Sequence, residues 1–175
     1  RQSRLRVDAE VVRDIGLAAS GLLSRKVGGP PVFPPQPEGV TSVGQVKHPW
    51  NVSKGEDRYR RGLYTFVFRN SVHPLLGSFD IADATSTCTR RNRSNTPLQA
   101  LVMMNDPQVN EAARVMAEKL MTESTAVEIK IETAFKRILC RTPKSSEIKL
   151  LVEYFQTEQG NWSSKAADAE KLISI

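Results

Sequence analysis

Hydrophobic positions recur every three to four residues near the N-terminus of the chain, and this spacing predicts an amphipathic helix over residues 7–23. Asp8 precedes the periodic positions and is the expected cap of this helix. Its apolar face is predicted to contain Val11 or Val12, Ile15, Ala18 or Ala19, and Leu22. Gly28 and Gly29 end any continuation, because glycine is unfavourable inside a helix.

The same periodicity returns in the C-terminal half of the chain and predicts three long helices in succession. They cover residues 107–121, residues 125–139 with Thr125 as cap, and residues 145–160. A weaker pattern predicts a last helix over residues 162–175. Short links such as Arg141-Thr142-Pro143 favour antiparallel neighbours, so residues 96–175 are predicted to form a helical bundle.

Two strong helix starts lie at the beginning of this bundle. Thr96 is a preferred cap, Pro97 fits the first helical position, and Gln99 completes a capping box. Asp106 and Pro107 repeat the arrangement and open a second helix in a new direction. The apolar run between the two starts is too short to cross a bilayer, so we expect a buried helix there.

Residues 28–55 are rich in proline and glycine, which remove main-chain donors and exclude a regular ladder. The bulky apolar pair Val32 and Phe33 would gain nothing in a free linker, whereas it fits a loop laid over a core. We therefore expect a long, ordered, irregular wrap in this region. Trp50 is expected to point inward as a packing anchor.

Residues 56–70 satisfy two patterns at once. Their aromatic and β-branched residues are typical of a strand, yet Leu63, Phe66 and Val67 also have helical spacing. A lone strand has no obvious partner elsewhere in the chain, so a helix is the favoured prediction and a strand is the alternative. Beyond this segment, Pro74 is expected to open a short helical turn.

These elements together predict a mainly α fold, a helical bundle with a long irregular wrap in its N-terminal half. A chain of 175 residues is long enough for one domain with its own core. We expect a single domain over residues 1–175, in which residues 1–27 hold the first helix, 28–95 the wrap and short elements, and 96–175 the bundle. The chain begins with Arg1, and it is expected to be a fragment of a larger protein.

The net charge of +6 raises the question of an anionic partner. Lysine and arginine are spread along the chain without a long basic block, and aromatic residues make up only 6% of it. Binding to nucleic acid is therefore not expected, because a single-strand binder needs aromatic rings on which bases stack.

Three neighbouring arginines, Arg90, Arg91 and Arg93, follow a loop that carries Asp80 and Asp83. Opposite charges so close in sequence are predicted to form charge-assisted pairs that hold the loop. The alternative is a polar pocket for a small anionic or sugar-like ligand; the structural interpretation is favoured because ion-pair networks are common in ordinary domains. The candidate residues for a structural or ligand-binding cluster are Arg90, Arg91, Arg93, Asp80, Asp83 and Asn95.

Few side chains in this chain are suited to catalysis or to metal binding. His48 and His73, the only histidines, are not spaced as metal ligands, and each precedes a proline. Cys88 and Cys140, the only cysteines, lie in no C-x-x-C pattern, and two free buried thiols are favoured over a disulfide. No catalytic residue, metal ligand or cofactor is predicted in this segment, and the question of enzymatic activity stays open.

Several unusual sequence words occur in a fixed order along the chain. They are Gly28-Gly29-Pro30, Phe33-Pro34-Pro35-Gln36, Arg60-Arg61-Gly62-Leu63-Tyr64-Thr65-Phe66, Phe79-Asp80, Cys88, Arg90-Arg91, Asn95-Thr96-Pro97-Leu98-Gln99-Ala100-Leu101 and Asn105-Asp106-Pro107. With these words the chain resembles the planctomycete-type C-terminal domain of unknown function found in large exported proteins with cytochrome-c-like modules. The resemblance extends from the first helix to Arg141-Thr142-Pro143. The family usually has a serine in place of Gly62, and this glycine is expected to loosen its element.

The resemblance implies a bacterial parent protein that is exported to the periplasm or the cell surface. The family has no established reaction, so no catalytic residue is carried over. The expected function is a non-catalytic helical interaction or structural module that docks onto neighbouring domains of the parent protein, without a membrane span. The alternative is a ligand-binding or hydrolytic domain that acts on acidic polysaccharide, in which Arg90, Arg91 and Arg93 grip sulfate or carboxylate and Asp80 or Asp83 acts as acid or base.

Overall fold

The computed structural model describes residues 6–42, 49–82, 84–123 and 126–173. The prediction of a mainly α fold is confirmed, because these residues contain seven α-helices and no strand beyond isolated single bridges. The helices are α1 Ala9–Ser20, α2 Pro74–Ser78, α3 Pro97–Asn105, α4 Pro107–Glu123, α5 Val127–Leu139, α6 Ser145–Ser163 and α7 Ala166–Ile173. Of the residues named above, Arg1, His48, Asp83 and Thr125 lie outside the described residues.

Both predicted helix starts in the middle of the chain are confirmed. Thr96 is the N-cap of α3, Pro97 occupies the first helical position, and the Thr96 N–H lies 3.5 Å from Gln99 Oε1, the residue pair of a capping box. Asp106 begins α4, where its Oδ1 accepts hydrogen bonds from the main-chain N–H groups of Gln108 at 2.9 Å and Val109 at 3.2 Å. These starts were predictable because a cap involves only residues within one turn of each other.

The buried face of α1 differs from the predicted one. Its fully buried residues are Ala9, Arg13, Leu17 and Ser20. Ile15, which was expected in the core, is 42% exposed; of the alternatives Val11 and Val12, Val11 is 40% exposed and Val12 is half-buried. The core face is rotated because Arg13 makes main-chain hydrogen bonds inside the fold, and its burial carries Leu17 inward with it.

The irregular wrap is confirmed where it is described, and it is held by main-chain hydrogen bonds. The Val32 N–H donates to the Tyr64 carbonyl at 2.8 Å, and the Phe66 N–H returns a bond to the Val32 carbonyl at 2.9 Å. Trp50 is half-buried; its Nε1 donates to the Pro34 carbonyl at 2.7 Å, and its ring packs edge-on against Phe33. The wrap is therefore part of the fold and not a linker.

The prediction of an α-helix in residues 56–70 is wrong. Two short 3₁₀ helices, Gly55–Tyr59 and Gly62–Tyr64, occupy this segment, and single parallel bridges join Arg60 to Ser24 and Thr65 to Val32. Arg60 thus pairs with the residues just after α1, and Thr65 pairs with the proline-rich segment, whose composition carries no strand signal.

Gly62 lies against the first turn of α1. A Cβ atom at this position would be 2.7 Å from the carbonyl oxygen of Glu10 and 2.8 Å from its Cα, closer than such atoms can approach. The Gly62 N–H also donates to Asp14 Oδ1 at 2.6 Å. This glycine permits close packing, contrary to the expectation that it loosens the element.

The prediction that α3 is buried is also wrong. Its one buried side chain is the polar Gln99, whereas Leu98, Leu101 and Met104 are 64%, 56% and 75% exposed. The helix is short, and hydrogen bonds of Gln99 fix which side faces inward. The apolar side chains of α3 therefore form an exposed surface.

By its internal contacts the chain divides into two compact units, unit 1 with residues 1–110 and unit 2 with residues 111–175. The expectation of one domain that is part of a larger protein stays a prediction. In unit 2, α5 packs against α6, and α6 against α7. The helix predicted to end near Gly160 continues to Ser163, and Trp162 lies inside it.

Cys88 and Cys140 are both free thiols, and both are exposed rather than buried as expected. Cys140 ends α5 with a left-handed conformation, and Cys88 lies in the loop before α3. Among the helices that the structure describes, none has the length and apolar character needed to cross a membrane.

Candidate functional site

A buried arginine on α1 organises the interior of unit 1. Arg13 is only 3% exposed. Its Nη2 donates to the Arg58 carbonyl at 3.0 Å, its Nη1 donates to the Arg60 carbonyl, and its Nε donates to Gln108 Oε1 at 2.7 Å. Burial lowers the pKa of Arg13 to about 10, which leaves the guanidinium charged at neutral pH. One side chain thus joins α1, the 3₁₀ segment and the start of α4.

The carboxylate of Asp106 lies near this arginine. Burial raises the pKa of Asp106, although the N–H groups of Val109 and Gln108 and the charge of Arg13 oppose the change. All of these contacts are structural: they cap a helix and compensate a buried charge.

A second buried arginine holds the wrap. Arg60 is fully buried; its Nη1 donates to the Pro30 carbonyl at 3.0 Å and its Nη2 to the Gly28 carbonyl. Its guanidinium carbon lies 3.8 Å from the centre of the Tyr64 ring, and the Tyr64 hydroxyl accepts a bond from the Gly28 N–H. The prolines of this segment prevent a regular ladder that would supply donors to its carbonyls, and the Arg60 guanidinium donates to two of them instead.

His73 is buried beneath the wrap and is 1% exposed. Its Nε2 lies 2.9 Å from the Pro35 carbonyl, and the ring lies 6.1 Å from that of Trp50. Burial lowers the pKa of His73 to about 4, despite the hydrogen bond to Pro35, so the imidazole is neutral at physiological pH. A neutral, enclosed histidine that bonds a main-chain carbonyl is a packing element rather than a metal ligand.

The loop before α3 is fixed from inside by Asp80 and Gln99. Asp80 Oδ2 accepts bonds from the Ser94 N–H at 2.6 Å and the Ser94 hydroxyl at 2.7 Å, and these bonds lower the pKa of Asp80. Gln99 Nε2 donates to the Ser78 carbonyl at 2.9 Å and to Ser94 Oγ at 3.2 Å. The expected pairing of Asp80 with the arginines is therefore wrong: its partner is Ser94.

The three loop arginines have different surroundings. Arg91 is paired, since its Nη1 donates to Glu10 Oε2 at 2.7 Å. Burial alone would raise the pKa of Glu10, but the hydrogen bond from Arg91, a main-chain hydrogen bond and the charge of Arg91 together lower it. Arg93 stands 3.8 Å from Asp8 Oδ1, too far for a hydrogen bond. Arg90 is exposed and makes no ion pair with any described residue.

These side chains line an open pocket of about 770 Å³, formed by Asp8, Arg90, Arg91, Asn92 and Arg93. Three guanidinium groups and one carboxylate give its lining a positive charge. A pocket of this size accommodates a small polar ligand such as one or two sugar rings. Chemically, the pocket is suited to binding an anion.

Of the predicted site residues, the structure brings Arg90, Arg91 and Arg93 to one pocket. Asp80 is turned toward Ser94, and Asn95 is exposed outside the pocket lining. Asp83 lies outside the described residues.

Sequence reasoning missed Asp8 and Glu10 as the acidic partners of the loop arginines. They lie about eighty residues away at the start of α1, and local charge spacing carries no signal for such a pairing. Sequence reasoning also missed the buried Arg13 and Arg60, because an arginine within an amphipathic pattern is ordinarily placed on the solvent side.

Within the described ranges no group of three or more histidine, cysteine, aspartate or glutamate side chains could hold a metal ion. The fold and the pocket thus define a class: a mainly helical domain with an irregular N-terminal part, buried structural arginines and a basic surface pocket. The chain belongs to the family PSD1, a protein of unknown function (DUF1553), whose model matches residues 1–155. No curated protein and no solved structure matches the chain.

Proposed function

We propose that this chain is a non-catalytic interaction module of a larger protein, and that it docks onto a neighbouring domain of that protein through α3. The observation that carries this proposal is the distribution of side chains on the helix, which buries a polar residue and exposes apolar ones. Its buried residue is Gln99, and the large apolar residues Leu98, Leu101 and Met104 are exposed. Exposed apolar surface of this kind is a typical site of protein interaction.

Leu98, Leu101 and Met104 follow one another at intervals of three residues, so each lies beside the next and together they cover an arc of about 120° of α3. The helix carries no charged residue in any of its nine positions. The partner surface is therefore apolar and uncharged at its centre, as in the groove that receives an amphipathic helix.

The surface is also held rigidly before it binds. Gln99 fixes the first turn of α3 to the loop through Ser94, and at the other end Asp106 joins the network of Arg13 and Gln108. A preformed helix face loses little conformational entropy on association, which favours binding.

Cysteine labelling in the parent protein tests the proposal. Leu101→Cys is introduced in a Cys88→Ser, Cys140→Ser background, and Val27→Cys, at a position 82% exposed, serves as the matched control. Maleimide is expected to label Cys at position 27 rapidly and Cys at position 101 slowly, because a docked domain covers the latter. Equal labelling rates at the two positions would refute docking through α3.

The resemblance supports a cellular setting for this module, which we propose as well. The parent protein is exported to the periplasm or cell surface of a planctomycete-type bacterium, and cytochrome-c-like modules accompany this domain. Fractionation of cells that produce the parent protein tests the location, and a haem absorption spectrum of that protein tests the cytochrome association.

Binding of an acidic polysaccharide is a second candidate function, and the basic pocket favours it. Arg90, Arg91 and Arg93 line that pocket together with a single described carboxylate, Asp8. This lining supports binding of an anion; hydrolysis of the polysaccharide stays a prediction. Retention of the protein on dextran sulfate, compared with neutral dextran, tests the binding.

A further inference from the structure

We infer that Arg90 and Arg93 bind the anionic group of a sulfated or uronic acid sugar, while Asp8 accepts a hydrogen bond from a hydroxyl of the same ligand. This inference rests on the second candidate function, binding of an acidic polysaccharide, and assigns its residues and its ligand chemistry. It divides the three loop arginines into one structural and two ligand-binding side chains.

Arg91 is the structural member of the three. Its guanidinium donates to Glu10 at 2.7 Å, and its side chain is 34% exposed, less than that of Arg93. An anion that took Arg91 would have to leave the half-buried Glu10 carboxylate without its partner, which is unfavourable.

Arg90 and Arg93 have N–H donors that make no hydrogen bond with a described residue. Arg90 pairs with no described residue, and the side chain of Arg93 is 56% exposed with its nearest carboxylate oxygen 3.8 Å away. A guanidinium presents a planar fork of N–H donors that matches the oxygens of sulfate and carboxylate. The two arginines can therefore converge on one anionic group without breaking a hydrogen bond between described residues.

Asp8 distinguishes this pocket from a simple basic patch. Its side chain is 46% exposed, and it makes no side-chain capping bond to α1. A carboxylate in the lining repels a bare anion but accepts hydrogen bonds from hydroxyl groups. The side-chain amide of Asn92 adds a donor and an acceptor. A ligand that carries hydroxyls as well as negative charge satisfies all of these groups, and a charged sugar has that chemistry.

Binding of two sulfated polymers to the full chain tests the inference. Dextran sulfate carries sulfate esters and hydroxyls, whereas poly(vinyl sulfate) carries sulfate esters alone. We expect dextran sulfate to bind about tenfold more tightly at equal charge, since each hydrogen bond to a charged group contributes on this scale. Equal affinity for the two polymers would overturn the role of Asp8.

Two charge-matched double variants test the site. Arg90→Ala with Arg93→Ala is expected to lower dextran sulfate affinity by about tenfold or more. Arg25→Ala with Arg69→Ala removes the same charge from exposed positions outside the pocket, and is expected to lower the affinity only slightly. Equal losses in the two variants would show binding by net charge and would overturn the site assignment.

Asp8→Ala is expected to change the affinities for the two polymers differently. Dextran sulfate is expected to bind about as weakly as poly(vinyl sulfate), because its hydroxyl loses an acceptor, while poly(vinyl sulfate) binds at least as tightly as before. A rise in affinity for both would overturn hydroxyl recognition. If the unaltered chain binds neither polymer, the second candidate function itself fails, which is a different outcome from loss of the site assignment.

Discussion

Arginine plays two physical roles in this protein, and its surroundings decide which. Arg13 and Arg60 are buried and donate to main-chain carbonyls that the irregular segments leave without partners. Arg90 and Arg93 are exposed and keep most of their donors available. The first pair stabilises the fold, and the second supplies a surface for anions.

Gly62 and Gly16 provide a matched test at the residue scale. Gly62→Ala is expected to lower the free energy of unfolding by about 1–3 kcal/mol, because its Cβ would meet the main chain of Glu10 at 2.7 Å. Gly16→Ala lies inside α1 with nothing within 4 Å of the new Cβ, and is expected to raise it by about 0.5–1 kcal/mol. Urea unfolding of both variants measures the difference. A neutral Gly62→Ala would contradict the close approach.

At the scale of elements, the helices whose starts are encoded locally were predictable. Thr96 and Asp106 begin α3 and α4 as expected, and Pro74 opens α2. In each case the capping side chain or proline and the groups it serves lie within a few residues, so a short stretch of sequence contains the whole interaction.

Elements that depend on distant partners were not predictable. The extended residues around Thr65 pair with Val32 in a proline-rich segment, and the buried face of α1 follows from contacts of Arg13 with residues far along the chain. The arginines of the pocket were found by their clustering, but their acidic neighbours Asp8 and Glu10 were not. Long-range pairing leaves no periodic signal in either partner.

The wrap depends on a neutral His73, which gives the unfolding free energy a predictable pH dependence. The pKa of His73 is about 4 in the folded chain, against about 6.5 when unfolded, so the unfolded state binds the proton first as the pH falls. His73 is expected to make stability fall by about 3 kcal/mol between pH 7 and pH 4, with the full contribution present above pH 6.5.

A titration of stability with a His73→Gln variant isolates this effect. Asp106, whose pKa is raised, opposes the loss near the acidic end, and it acts equally in both proteins. The stability difference between the native chain and the variant is therefore expected to shrink as the pH falls from 7 to 4. A difference that is constant over this range would show that His73 is not buried as a neutral group.

At the scale of the whole molecule, the family match covers residues 1–155, which include unit 1 and most of unit 2. Among the described residues of unit 1, at least as many polar as aliphatic side chains are buried, so its shape depends on hydrogen bonds as much as on apolar packing. A fold of this kind presents fixed surfaces, the apolar side of α3 and the basic pocket, and both proposed functions are binding functions.

Amide hydrogen exchange of Val32 tests most directly whether buried guanidinium groups hold the irregular part of unit 1 in place. In Arg60→Met the carbonyls of Gly28 and Pro30 lose their donor, so the Val32 and Phe66 amides are expected to exchange much faster than in the native chain. The amides of α6 serve as an internal reference, and Arg25→Met is the control at an exposed arginine. Val32 and Phe66 amides that stay as slow in Arg60→Met as in the native chain would contradict the structural role of the buried arginine.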